Sequence, residues 1–437
     1  MTKHLKLAIC GSVDSGKSSL IGVLTNKKLD DGRGSARLSI LRTKHEKESG
    51  RTSNISYNYI KYEDKDITLI DLAGHEKYLK TTLYGITGLF IDYGVVIIGA
   101  NMGISKMTRE HLGILLYLKV PIIIVLTKED ICPPDVYENT RQKLKKILKL
   151  PLFGKSPLFL DTDEDYSQFE KLCLTPENIN SLIPIVTTSC KTGKNIDKLN
   201  NLLQVLPNVE QQIQPVSSLM DGSSLLDGIG LQIKSPNLTP SQNKNRPYSY
   251  IEAVYNVKGV GTVLTGTNIS DEQIIVGQNL FLGPFGTTNP YFVPIKIRSM
   301  HDNYRNLVNS TTPGENYCIS IKYIKEHIER DQLRKGLVLS QSQTIVTNVS
   351  LKFKAKIKIL NYKTTIKAGY TPVIHCRTVR QSAKIIEILN TTSTVRGGDE
   401  TEVIFEFIYY PEYIEIGAPI FFRDGTTKGV GEIISIC

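Results

Sequence analysis

The chain has 437 residues, 40% hydrophobic and 22% charged, and since single cores stop growing at roughly 250–300 residues it should hold two or three domains of ordinary soluble composition. Its seven scattered cysteines form no Cys-x-x-Cys pair and no zinc-spaced cluster, which excludes a disulfide scaffold and fits a cytosol-like compartment; the net charge of +10 points only weakly to a polyanionic partner. Lys3, His4 and Lys6 interrupt the N-terminus, so no signal peptide is expected, and no run reaches the ~18 apolar residues of a membrane span.

Residues 4–207 alternate apolar runs with amphipathic stretches, as a βα series does. His4–Cys10 runs as a strand into Gly11-Ser-Val-Asp-Ser-Gly16-Lys17-Ser18, and a helix is predicted over Lys17–Thr25. Strand, glycine-rich turn, Lys-Ser and helix together are the P-loop pattern. Backbone N–H groups of Gly11, Val13, Asp14, Ser15, Gly16 and Ser19 are expected to cradle phosphate oxygens, with Lys17 reaching the β- and γ-phosphates and Ser18 ligating Mg2+. Ile55, Tyr57 and Tyr59 alternate along a half-buried strand, and Ile67–Asp71 is a short strand ending in a carboxylate. In a doubly wound sheet ligands bind at the carboxyl ends of the strands, so Asp71 is placed to hold Mg2+ through water, and the Gly74 N–H to meet the γ-phosphate.

Tyr93–Ala100, Pro121–Leu126 and Leu182–Thr187 read as buried strands, with helices predicted over Thr108–Leu118 and Tyr137–Leu148. After the second of these strands comes Thr127-Lys-Glu-Asp130. A carboxylate at Asp130 accepts two hydrogen bonds from the N1 and N2 donors of guanine, which adenine lacks, and the Lys128 stem can cover the base. Ser189-Cys190-Lys191 follows the last strand, where its backbone N–H groups are in reach of the base. GTP and GDP are therefore the expected nucleotides.

Residues 208–246 are rich in Gln, Ser, Asn, Pro and Gly and read as a partly disordered linker or insertion. From Tyr248 onward strand-like runs are broken by turns about every 8–12 residues, the signature of all-β barrels. The expected plan is an α/β P-loop G domain with a mostly parallel doubly wound sheet (1–207), the linker (208–246), and two all-β barrel domains (247–346 and 347–437). In the last of these Lys352, Lys354, Lys356 and Lys358 alternate with apolar residues, so the lysines share one face. Two readings stay open for that face: a track for a phosphate backbone, or the solvated outside of a barrel.

These motifs in this order resemble the translation-factor GTPases of the elongation factor Tu and elongation factor 1-alpha type. Gly11–Ser18 departs from that family's P-loop only at Ser12 and Ser15, and Asp71-Leu-Ala-Gly74-His75-Glu-Lys-Tyr78 is similar to its D-x-P-G-H-x-x-[FY]. Stretches beginning at Ile251, Gly369 and Arg396 look like second- and third-domain motifs. Leu29–Arg37 and Lys44–Ser53 resemble a narrower branch, the GTP-binding-protein-one and -two type. The resemblance implies that His75 orients the attacking water, with Lys17 the second catalytic residue, and that Thr52 ligates Mg2+ in switch I. It also implies a GTP-hydrolysing, elongation-factor-like switch working with tRNA or a similar cargo on the ribosome, as a cytoplasmic monomer with no membrane association. A ribosome-rescue or RNA-turnover GTPase meeting mRNA or RNA-turnover factors, the GTPase subunit of sulfate-activating enzymes, and a GTP-regulated RNA-binding module with little turnover are the alternatives. Three departures bear on the site: Thr127 for Asn, Ser12 for the P-loop histidine, and Arg51 for the isoleucine before Thr52, where an arginine could neutralise transition-state charge or simply face solvent or RNA.

Overall fold

The computed structural model describes residues 3–41, 46, 52, 54–149, 155–173, 179, 181–207, 246–325, 327–361, 365–390, 393–424 and 427–437. Arg51 and nearly all of the 208–246 segment lie outside them. The chain divides into two compact units, one around a parallel sheet and one holding two barrels.

The first unit is a seven-stranded sheet. Its strands are β1 (Lys3–Gly11), β2 (Ser56–Lys61), β3 (Lys65–Asp71), β4 (Tyr93–Gly99), β5 (Ile122–Thr127), β6 (Ser156–Phe159) and β7 (Leu182–Thr187), in the order β2-β3-β1-β4-β5-β7-β6. All neighbours are parallel except the edge pair β2–β3. β4 and β5 are buried at every position, which is why they read as unbroken apolar runs: helices cover both faces of a parallel sheet. Register brings functional strand ends to one edge. Ile9 pairs Asp71, Gly11 pairs Ile97, Gly99 pairs Thr127 and Leu126 pairs Thr187.

The helices are α1 (Lys17–Asn26), α2 (Ser35–Leu38), α3 (Leu79–Gly88), α4 (Lys106–Tyr117), α5 (Pro134–Leu148), α6 (Asp163–Cys173) and α7 (Ile196–Val205). Ser105 caps α4, its Oγ accepting the Thr108 N–H at 3.1 Å, and Thr108, His111, Leu112 and Leu115 form the buried face. α5 begins three residues ahead of the predicted start because Pro134 sits in the first turn, where a missing N–H costs nothing. β6 and α6 were not anticipated; the four-residue β6 is too short for a periodicity to register.

In the second unit β8 (Ser249–Val257), β9 (Gly261–Thr267), β10 (Asn279–Phe285), β11 (Tyr291–His301), β12 (Asn316–Tyr323) and β13 (Val338–Ser340) pair in a closed ring. A second closed barrel follows: β14 (Lys352–Asn361), β15 (Val373–Cys376), β16 (Val379–Ile388), β17 (Glu400–Phe407), β18 (Pro419–Asp424) and β19 (Thr427–Ile436). Closure removes the edges that open sheets leave unpaired. An ion pair joins the barrels: Arg334 Nη1 lies 2.6 Å from the buried Glu412 Oε2, whose other oxygen accepts from Gln381 Nε2 at 2.7 Å.

The lysine row of β14 faces an acidic strand, which favours the second of its two readings. Phe353, Ala355, Ile357 and Ile359 point into the barrel core. On the other face Lys352, Lys354 and Lys356 pair with Glu406, Glu402 and Glu400 of β17 at 3.4, 2.5 and 2.7 Å. The face is a ladder of alternating sign, because an acidic strand lies in register beside the basic one.

Candidate functional site

The P-loop follows from its backbone. Ser15 Oγ donates to Ser12 O at 2.9 Å, and Lys17 Nζ donates to Gly11 O at 3.2 Å and Ser12 O at 2.8 Å. The lysine thus closes the loop that is to surround the phosphates. Burial pulls its ammonium below the ordinary lysine range, while Asp71 works against that shift. Gly74 packs directly on this arrangement: a Cβ there would stand 2.5 Å from Lys17 Nζ and 2.7 Å from Gly11 O, so only glycine lets the β3 exit approach the loop.

Ser18, Thr52 and Asp71 converge although they lie far apart in the chain. Ser18 Oγ and Thr52 Oγ1 each donate to Asp71 Oδ2 at 3.0 Å and are 3.0 Å from each other. Asp71 is fully buried; burial pushes its carboxyl up, and Lys17 with the two hydroxyls opposes it. Its Oδ1 is buried without a hydrogen-bond partner among the described residues. A buried carboxylate with a spare oxygen beside two hydroxyls is a donor set for a hard cation that keeps several waters, so these residues fit Mg2+.

The base side is equally connected. Thr127 Oγ1 donates to Ser15 O at 2.5 Å, so the threonine that stands for the usual asparagine still ties the end of β5 to the P-loop. Lys128 has φ 60°, which turns the chain sharply after β5, and Asp130 Oδ1 accepts the Ser189 hydroxyl at 2.7 Å. Ser189 therefore orients, through its side chain, the carboxylate that is expected to select guanine. The backbone N–H expected to reach the base instead donates to Lys194 O at 3.2 Å, because residues 189–194 fold back on themselves. That leaves Cys190 and Lys191 to offer N–H groups on this side.

One open pocket brings most of the expected residues together: Val13, Asp14, Gly16, Lys17, Ser18, Ser19, Thr52, Gly74, His75 and Lys128 line it, and Asp30, Gly32, Arg33, Gly34 and Arg37 form a further wall. Gly11 and Ser15 are buried members of the loop outside this lining, and the N–H groups expected to cradle phosphate are engaged within the protein: that of Gly11 donates to His111 Nδ1 at 3.1 Å and that of Ser15 to Ser12 O at 3.4 Å. His75 is exposed and caps the short turn Glu76–Tyr78, its Nδ1 accepting the Lys77 N–H at 3.1 Å. With Nδ1 an acceptor, Nε2 carries the proton of the neutral ring.

Two features were missed from sequence. His111 lies behind the P-loop, its Nδ1 accepting the Gly11 N–H at 3.1 Å. Burial and the nearby Lys17 charge lower its pKa to about 3, so it is neutral and can accept. Its place in the series Thr108, His111, Leu112, Leu115 was the available signal: a polar residue on an apolar helix face pointing at β1. The second is that Arg33 and Arg37 stand in the pocket wall; residues 30–37 themselves open the expected switch I, about 30–53.

The Elongation factor Tu GTP binding domain family matches residues 2–215, and the Elongation factor Tu C-terminal domain family matches residues 346–437. GTP-binding protein 1 of Xenopus laevis is 34% identical over 99% of this chain and 63% of its own length; GTP-binding protein 2 of Mus musculus is 33% identical over 99% and 69%. The chain thus spans a little under two thirds of the first relative. In fold it is similar to translation elongation factor SelB from Methanococcus maripaludis in complex with the GTP analogue GppNHp, with a TM-score of 0.64 and 21% identity, covering all of this chain and 80% of that one. By these matches the chain belongs to the elongation-factor-Tu type of GTP-binding proteins, alongside GTP-binding proteins 1 and 2.

Proposed function

We propose that this chain binds GTP with Mg2+, hydrolyses it to GDP and phosphate, and uses the change as a switch in translation, acting with tRNA or a similar cargo on the ribosome. The observation that carries the reading is the meeting of Ser18, Thr52 and Asp71 within 3.0 Å of one another beside Lys17, with Asp130 held for guanine at the far end. The ribosome, tRNA and a cytoplasmic location are inferred from the likeness to translation elongation factors; among the described residues no helix is long and apolar enough to cross a membrane. The proposed domains are residues 1–207, 247–346 and 347–437.

Catalysis of this kind rests on positioning and electrostatics. The loop amides of Val13, Asp14 and Gly16 through Ser19 cradle the phosphates, and Lys17 places a positive charge beneath the β- and γ-phosphates. When bound, Mg2+ would be held by Ser18, Thr52 and, through water, Asp71, and would offset phosphate charge. The Gly74 N–H senses the terminal phosphate, because Gly74 is packed against Lys17 and the P-loop. His75 is exposed at the pocket mouth, so a partner must press it inward before its Nε2 can orient the attacking water; the intrinsic rate should be low.

Two measurements test this. Purified chain should take up GTP and GDP and reject ATP; equal uptake of ATP would overturn the reading. In single-turnover assays ribosomes should accelerate hydrolysis, and His75→Ala should keep nucleotide affinity while losing about 100-fold of the stimulated rate, within the range for a positioned proton-transfer group. Full stimulation in His75→Ala would remove the histidine from the mechanism.

A further inference from the structure

The segment after α1 carries few apolar residues, yet it is firmly built. Asp31 Oδ1 accepts the Arg33 and Ser35 N–H groups at 2.8 and 3.2 Å, and Asp30 Oδ1 accepts the Ala36 N–H at 2.9 Å. These bonds wind the chain into α2. That turn lies so close on α1 that a Cβ on Gly22 would stand 2.2 Å from the Ala36 carbonyl oxygen. At its other end the segment is tied to the base side by the Asp30 N–H, which donates to Cys190 O at 2.9 Å.

Held in this way, Arg33 and Arg37 join Lys17 and Lys128 in lining the nucleotide pocket, whose wall among the described residues also carries the carboxylates Asp14 and Asp30. Asp30 turns one of its oxygens, Oδ1, to the Ala36 N–H and the Ser35 hydroxyl. Arg37 is half-buried, and its Nε is buried without a hydrogen-bond partner among the described residues. A guanidinium is always charged, and a buried N–H donor left unpaired is costly unless something completes it. The chemistry that completes a planar fork of N–H donors is an oxyanion with paired oxygens, and the pocket beside it is shaped for a phosphate chain.

We propose that Arg37 is a phosphate-binding residue supplied in cis: its guanidinium contacts the phosphate chain of the bound guanine nucleotide, in addition to Lys17 and the P-loop amides. This rests on the GTP-binding reading and extends it. Lys17 approaches from beneath the loop, whereas Arg37 stands on the wall formed by residues 30–37, so the two cations meet the polyanion from different elements. Arg33 shares the wall but is exposed, and its contribution should be the smaller.

The test uses the full chain and two readouts. In titrations with fluorescent GDP and GTP, Arg37→Met should weaken both by about 10-fold, the scale of one charge-assisted hydrogen bond. Arg37→Lys, which keeps the charge, should recover at least half of that loss on a logarithmic scale. Affinity unchanged in Arg37→Met, or an equal loss in both variants, would overturn the proposal. A measurement on the unmutated chain decides the matter even if the variants do not fold: modification of Arg37 by a dicarbonyl reagent, followed by mass spectrometry. Saturating GDP should slow it several-fold and guanosine should not; equal rates with and without GDP would refute the assignment. Failure of the unmutated chain to take up any GDP would instead sink the GTP-binding reading.

Discussion

In the nucleotide pocket the functional groups come from well-separated stretches of chain, at Lys17, Thr52, Asp71 and Thr127, and all four are buried. On the outside of the second barrel the charges come from two neighbouring strands and stay half-exposed, as in the pair Lys354–Glu402 with side chains 30% and 43% exposed. The first set is incomplete by itself: among the described residues Asp71 keeps a buried oxygen unpartnered, and Lys17 is buried against carbonyls. The second set is complete, each of three lysines facing a glutamate. Low dielectric makes an uncompensated group expensive, so a fold retains one where a ligand offsets the cost; water makes a surface pair nearly neutral. Incomplete burial, more than density of charge, marks the site.

Removing Lys17 should produce the largest effect that this contrast allows. Lys17→Ala takes away both the charge under the phosphates and the ties to Gly11 O and Ser12 O that close the loop. GTP and GDP binding should fall by more than about 100-fold, since loss of a desolvated charge partner costs several kcal/mol. Equilibrium titration checks it, and affinity within tenfold of the unmutated chain would mean the loop amides alone hold the nucleotide.

His111 tests whether the burial that shapes the pocket also reaches behind it. Its folded pKa is lowered to about 3 from 6.5, chiefly by burial. The folded state therefore refuses a proton that the unfolded chain accepts, so this contribution to stability is whole above pH 6.5 and is lost as the pH falls from there toward 3. Between pH 7 and pH 5 it should amount to about 2 kcal/mol, at roughly 1.36 kcal/mol per pH unit. Urea denaturation at pH 7, 6 and 5 should show that decline, and His111→Gln should flatten it. An unchanged slope in the variant would assign the decline to other groups.

The same contrast explains what could be read from the chain alone. The P-loop was legible because it is contiguous and its chemistry is set by local backbone. Asp71, Thr127 and Asp130 were legible because strands end there and strand ends face the ligand. His111 was not, since its partner Gly11 lies 100 residues away and only the packing of α4 on β1 joins them. Arg37 was visible within a motif, but its reach into the pocket depends on the Asp30 and Asp31 turns that form α2. Ser189 was expected to offer its backbone N–H, yet it is the hydroxyl that meets Asp130, a detail decided by how residues 189–194 fold back. For the lysine row, alternation showed that four charges share a face; only the register of β14 on β17 showed what stands opposite.

That register yields the smallest expected effect and the sharpest check on the comparison. Lys354→Gln removes one half-exposed pair and should change stability by less than about 1 kcal/mol, the usual worth of a surface ion pair. Replacing Lys352, Lys354 and Lys356 together by glutamine should alter affinity for single-stranded RNA less than twofold at physiological salt, because their charge is already met by Glu406, Glu402 and Glu400. If the lysines instead tracked a phosphate backbone, binding would weaken steeply, and the dependence of log affinity on log salt would lose about 0.7 of a unit of slope for each contact removed, the single-strand value. A salt titration of the triple variant therefore distinguishes a self-neutralised barrel wall from an RNA track, and an unaltered slope is the expected result.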